Sequence, residues 1–113
     1  MIAVEVATIL ECVPEFADRF LDLVEAADGD PGAPAVFVEL ADFVVTLDSR
    51  RPERAGLVAR CLACVERVAR CSDQALELVG WSFLDGLCPE DLERLHPWLG
   101  PSTLALAAQI EEG

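Results

Sequence analysis

Apolar residues recur every three to four positions along most of this chain, which is the spacing of an amphipathic α-helix. Segment 14–27, PEFADRFLDLVEAA, shows this most clearly, because Phe16, Phe20 and Leu23 fall on one face. The polar side carries acidic residues at positions i, i+3, i+7 and i+10, namely Glu15, Asp18, Asp22 and Glu25. The pattern predicts a helix that buries one side and exposes an acidic stripe.

Further helices are predicted over residues 3–12, 33–49, 52–71, 73–86, 89–95 and 100–110. Segment 33–49, APAVFVELADFVVTLDS, is ambiguous, because its β-branched and aromatic residues also suit a strand. Its run Leu40-Ala41-Asp42 breaks the strict alternation that a strand requires. The pattern therefore favours a helix.

Residues 75–87, ALELVGWSFLDGL, are apolar on almost every side. A helix of that kind is packed on several sides, so we predict that 73–86 is the central helix of the domain. Trp81 and Phe83 are then expected in or near the core. Gly80 would allow a neighbouring backbone to come close.

Helix starts and breaks are marked by residues that suit them. The chain contains seven prolines, and proline is tolerated in the first turn of a helix but not in its interior. Segment 28–34, DGDPGAP, predicts the clearest loop, and Ser72 predicts the N-cap of the central helix. Together, these signals predict an all-α fold: one domain over residues 1–113, a compact bundle of about six helices in stacked antiparallel pairs that is similar to helical-repeat scaffolds.

Charge is distributed unevenly along the chain. The formal net charge is −13, of which residues 1–48 carry −10, residues 49–71 carry +4 and residues 72–113 carry −7. A strongly acidic surface repels nucleic acid and anionic membranes and favours a cationic partner. The alternative is that the charge only keeps the protein soluble.

The sequence also bears on location. No apolar run reaches the roughly 20 residues that a membrane-spanning helix needs. The first residues, MIAVEVATILE, lack the basic region of a secretory signal. We therefore expect a cytoplasmic protein.

Candidate catalytic groups are few. His96 is the single histidine, and a catalytic pair with Cys88 would need the two side chains within hydrogen-bond reach. Cys61 and Cys64 form a C-x-x-C inside a predicted helix, whereas a redox motif prefers the start of a helix. We expect small buried cysteines, with metal or redox use as the alternative and Cys64 as the most exposed thiol. Enzymatic activity is the weakest hypothesis, and we expect no catalytic residue, metal or cofactor.

Two parts of the chain resemble a known family. The first is CVPEFADRF followed by PAVFVELADFVVTL, and the second is ALELVGWSFLDGL followed by LHPWLGPST. These stretches are similar to a family of small, uncharacterised bacterial helical proteins, several of which are regarded as immunity proteins of toxin systems. The resemblance covers most of the chain, and because its motifs are structural it supports a single helical domain more than it supports toxin binding. The chain departs from the family pattern at Gly80-Trp81 and in the proline-rich loop at 28–34.

The acidic charge and the resemblance lead to one main hypothesis: a non-enzymatic immunity protein that binds a cognate toxin domain through an acidic surface. The predicted contact residues are acidic side chains from the first half of the chain: Glu15, Asp18, Asp22, Asp28, Asp30, Glu39 and Asp42. The alternative is a general adaptor or regulatory subunit that binds a host protein through a groove or an exposed apolar patch near Trp98 and Leu99. An uncovered apolar face would also allow a homodimer.

Overall fold

The computed structural model describes residues 3–47 and 51–112, which fold into seven α-helices. In chain order these are α1 (Val4–Cys12), α2 (Ala17–Ala27), α3 (Ala33–Thr46), α4 (Pro52–Ala69), α5 (Asp73–Leu78), α6 (Pro89–Leu95) and α7 (Pro101–Glu112). Two 3-10 turns, Pro14–Phe16 and His96–Trp98, precede α2 and follow α6, and a π-helical segment, Val79–Leu84, continues α5. These two ranges contain no β-strand, so the all-α prediction is confirmed, including the helix in the ambiguous segment. The stacked antiparallel pairs stay a prediction, and the expected end of α3, Asp48 and Ser49, lies outside the described residues.

The expected start signals occupy their positions. Pro52, Pro89 and Pro101 are the first residues of α4, α6 and α7, where a backbone N–H has no partner within the helix. The Ser72 side chain accepts a hydrogen bond of 3.0 Å from the amide of Ala75, which confirms Ser72 as the N-cap of α5. None of the helices in the described ranges combines the length and the apolar character needed to cross a bilayer.

A continuous cluster of buried apolar side chains connects the helices. Its largest fully buried members include Phe16, Phe37, Phe83, Ile9, Leu40 and Leu62. Burying a side chain of this size contributes about 1.5–3 kcal/mol. Phe83 is fully buried and lies in the core, as predicted. Trp81 is 77% exposed, so its prediction as a core or near-core residue is wrong.

The packing of the π-helical segment leaves Trp81 facing solvent. Its backbone is widened to five-residue spacing, with the Asp85 amide donating to the Gly80 carbonyl at 3.0 Å. The other five residues of the segment are buried: Val79, Gly80, Ser82, Phe83 and Leu84. The segment packs against α3, α4 and α7, and Trp81 occupies the direction that none of these helices covers.

A buried carboxylate holds the start of α7 against α4. Glu66 is only 8% exposed and accepts hydrogen bonds from the Thr103 hydroxyl (2.6 Å), the Thr103 amide (2.9 Å) and the Ser102 amide (3.1 Å). Burial by itself would raise the pKa of Glu66, but these hydrogen bonds outweigh it and hold the pKa below its usual value. A Cβ at Gly100 would lie 2.4 Å from the Glu66 Cγ, so only glycine leaves room for this contact.

Candidate functional site

Two of the seven predicted contact residues are held in an ion-pair network between α2 and α3. The Arg19 Nη1 atom lies 2.8 Å from the Asp42 Oδ2 and 3.4 Å from the Glu39 Oε1. Its guanidinium carbon also lies 5.3 Å from the ring centroid of Phe43, in a cation–π contact. Charge reversal at Glu39 or Asp42 would therefore disturb the contact between the helices as well as the surface charge.

Glu15 is a third predicted contact residue with an internal partner. Both of its carboxylate oxygens accept hydrogen bonds from the Arg60 guanidinium, one of them at 3.0 Å. These hydrogen bonds lower the pKa of Glu15. The pair is largely exposed and links the turn before α2 to α4, so its charge is already compensated within the chain.

The other four predicted residues are exposed and have no ion-pair partner among the described residues. Asp18 and Asp22 lie on the solvent side of α2. Asp28 ends that helix in the left-handed conformation, with a φ of 54°. Asp30 accepts a hydrogen bond of 2.9 Å from the Gly32 amide, which shapes the following loop. The structure thus leaves four of the seven carboxylates available to an external cation.

The solvent side of α2 also carries an apolar group. Leu21 is 60% exposed and lies three residues after Asp18, so the two side chains are neighbours on the helix surface. Glu25, four residues after Leu21, continues the same side and is also exposed. Together with the adjoining loop carboxylates, this side of α2 forms one surface, which we call the acidic face: Asp18, Leu21, Asp22, Glu25, Asp28 and Asp30.

A second surface was missed by the sequence prediction. It is a groove of about 590 Å³ between α5 with its π-helical continuation and α7, lined by Leu76, Glu77, Gly80, Trp81, Asp85, Leu106, Gln109 and Ile110. The sequence did contain a signal for it. Trp81 lies four residues after Glu77 and four before Asp85. This spacing places it on the polar side of the helix rather than on the buried side.

The cysteines follow the prediction only in part: Cys61 is buried as expected. Cys64 is only 3% exposed, because α1 lies across it and the Thr8 carbonyl oxygen accepts a hydrogen bond from its thiol at 3.7 Å. Its prediction as the most exposed thiol is therefore wrong. Burial raises the pKa of both Cys61 and Cys64 to about 12, so these thiols are protonated at neutral pH. Cys71 and Cys88 are the exposed cysteines.

The candidate catalytic pair does not form in this structure. The Cys88 thiol donates a hydrogen bond of 3.0 Å to the Asp91 carboxylate rather than to His96. His96 is exposed at the edge of a shallow depression beside Leu92 and Leu99. Across residues 3–47 and 51–110, no group of three or more His, Cys, Asp or Glu side chains is arranged to hold a metal ion.

Comparison of the chain with protein-family models, with curated proteins and with solved structures finds no match. The resemblance to a family of helical immunity proteins therefore stays a prediction.

Proposed function

We propose that this protein is a non-enzymatic binding module, an immunity protein that neutralises a cognate toxin domain through the acidic face. One observation carries this proposal. In the described part of the chain, Arg19 and Arg60 form ion pairs with Glu39, Asp42 and Glu15, whereas the carboxylates of the acidic face have no ion-pair partner. A cationic partner would supply the missing charge. The proposed scaffold is a rigid stack of antiparallel helix pairs.

A basic toxin domain suits this surface on physical grounds. A toxin that cleaves nucleic acid needs cationic side chains to bind phosphates, and an acidic inhibitor can cover those side chains. Complementary charge speeds the encounter and sets the orientation of the complex. Leu21 would place an apolar contact between the carboxylates, similar to the apolar centre and polar rim of many interfaces. In this role the protein would act in the cytoplasm, without contact to nucleic acid or membrane.

The test uses the domain encoded by the neighbouring gene as the binding partner. The variant Asp18→Arg/Asp22→Arg reverses two carboxylates of the acidic face, and Glu53→Arg/Glu90→Arg makes the same change in net charge on α4 and α6, away from both candidate surfaces. Isothermal titration calorimetry at low and high salt then measures both affinities. We expect the first variant to bind at least about tenfold more weakly and with less salt dependence, and the second to bind within about twofold of the wild type.

Two results would contradict the proposal. Equal weakening by both variants would mean that only net charge matters, and unchanged affinity in both would mean that the contact lies elsewhere. Thermal unfolding of each variant shows whether a loss of binding is a loss of folding. Both variants should remain folded, because the substituted side chains lie on the surface.

The alternative function is a general adaptor or regulatory subunit. The observation in its favour is a depression of about 380 Å³ near the predicted patch, lined in part by Leu92, His96 and Leu99. Trp98 itself is half-buried beside it. Gene context separates the two functions, because a toxin gene next to this one favours immunity and an operon of housekeeping enzymes favours an adaptor.

A further inference from the structure

We infer that the groove beside Trp81 is a docking site for an amphipathic helix of a partner protein, with apolar side chains along one face and Lys or Arg on its flanks. The groove is built from α5, the π-helical segment and α7, whereas the acidic face is built from α2 and its loop. The inference therefore stands independently of the immunity proposal.

The exposure of Trp81 is the first argument. Five of the six residues in the π-helical segment are buried, and the largest side chain of the segment is the one that faces solvent. Tryptophan offers a large apolar area with few rotatable bonds, and it is enriched among the residues that dominate binding energy at protein interfaces. π-Helical turns also recur at functional sites.

The shape of the groove is the second argument. Leu76 lies on one wall and Leu106 and Ile110 on the other, so both walls are helical and apolar. Gly80 brings the walls close at the base, because a Cβ there would lie 3.1 Å from the Leu106 Cδ2. Residues 76–85 make roughly two turns, which is enough to contact a bound helix over about two turns. Such a helix would contact the groove with residues at i, i+3 or i+4, and i+7.

The charge at the rim defines the partner further. Glu77 and Asp85 flank Trp81 about one turn before and one turn after it, and the lining contains no basic side chain. A helix with cationic flanks would pair with both carboxylates, whereas an acidic helix would be repelled. A second copy of this chain is a poor occupant. Each copy carries a net charge of −13, and α4, which carries more arginines than the other described helices, buries its apolar face in its own core.

The experiment is a selection from a displayed library of helical peptides about 16 residues long. All members share leucine anchors at helical spacing, and the flanking positions vary among Lys, Glu and Gln. Peptides selected on the wild-type protein are then titrated against Trp81→Ala, against the charge-reversed variant Glu77→Lys/Asp85→Lys and against Val38→Ala. The last is a matched control, because Val38 is 55% exposed and lies outside the groove.

We expect the selected peptides to be enriched in Lys at the flanks. Their affinity should fall at least about tenfold in Trp81→Ala and in the charge-reversed variant, and stay within about twofold in Val38→Ala. The inference is overturned if no peptide binds above background, if Glu or Gln flanks are selected equally, or if Trp81→Ala binds as well as the wild type. It is also overturned if sedimentation shows a wild-type dimer that Trp81→Ala dissociates, because the occupant would then be a second copy. Circular dichroism checks that each variant is folded.

Discussion

The Glu66 carboxylate joins α4 to the start of α7 through three hydrogen bonds, and its removal tests how α7 is held. A hydrogen bond to a charged group contributes about 1.5–3 kcal/mol, and a buried polar group left without a partner costs about 1–3 kcal/mol. The Thr103 hydroxyl is fully buried and would lose its acceptor. Because the three bonds share one carboxylate, their contributions do not simply add. We therefore expect Glu66→Ala to lower the free energy of unfolding by about 3–5 kcal/mol.

Glu66→Gln separates the charge from the shape. Glutamine keeps the size of the side chain but replaces one acceptor oxygen with a donor, so we expect a loss of about 1.5–3 kcal/mol at neutral pH. The pKa of Glu66 is lowered in the folded state, so its ionised form stabilises the fold above the unfolded-state pKa of about 4.3. That contribution is lost as the pH falls through the lower folded-state pKa. The difference in stability between wild type and Glu66→Gln should therefore shrink below about pH 4.

Urea unfolding followed by far-UV circular dichroism, at neutral and at acidic pH, measures these differences. Glu77→Gln is the control, because this side chain is exposed and has no ion-pair partner among the described residues. It should change the free energy of unfolding by no more than about 0.5 kcal/mol. The reasoning is refuted if Glu66→Gln is as stable as this control, or if its difference from the wild type is the same at both pH values.

Two further predictions concern Gly100 and the cysteines. Gly100→Ala should lower the free energy of unfolding by about 1–3 kcal/mol, because its new Cβ would lie 2.4 Å from the Cγ of Glu66. Thermal unfolding measures this effect, and an unchanged Tm would contradict it. At about pH 8, Cys71 and Cys88 should react with a thiol reagent in the native protein, whereas Cys61 and Cys64 should react only after unfolding. Mass spectrometry of labelled peptides locates the modified thiols, and early labelling of Cys64 would show that α1 does not cover it.

Local chain chemistry was sufficient to predict the helices and many of their starts. Apolar spacing depends only on residues one turn apart, and an N-cap or a first-turn proline acts within its own helix. For this reason the segment at Ala33–Thr46 was assigned correctly despite its β-branched residues, and Ser72 was identified as a cap. The loop after α2 was also correctly located, because its turn residues act over a few positions.

The sequence could not show in the same way which predicted contact residues have an ion-pair partner within the chain. The acidic side chains are visible in the sequence, but their counter-ions come from distant parts of it. Arg19 pairs with Asp42, 23 residues away, and Arg60 pairs with Glu15, 45 residues away. Only the folded chain separates these paired carboxylates from the unpaired ones of the acidic face.

The same limit applies to residues on the edge of a helix. Cys64 and Trp81 each lie on a helix side that also carries charged residues, yet Cys64 is buried and Trp81 is exposed. Cys64 is buried because α1 crosses that side of α4, and Trp81 is exposed because α3, α4 and α7 cover every other side of its segment. Helical periodicity predicts which side chains share a face. Whether that face is buried depends on which neighbouring helix packs against it, and long-range contacts determine that packing.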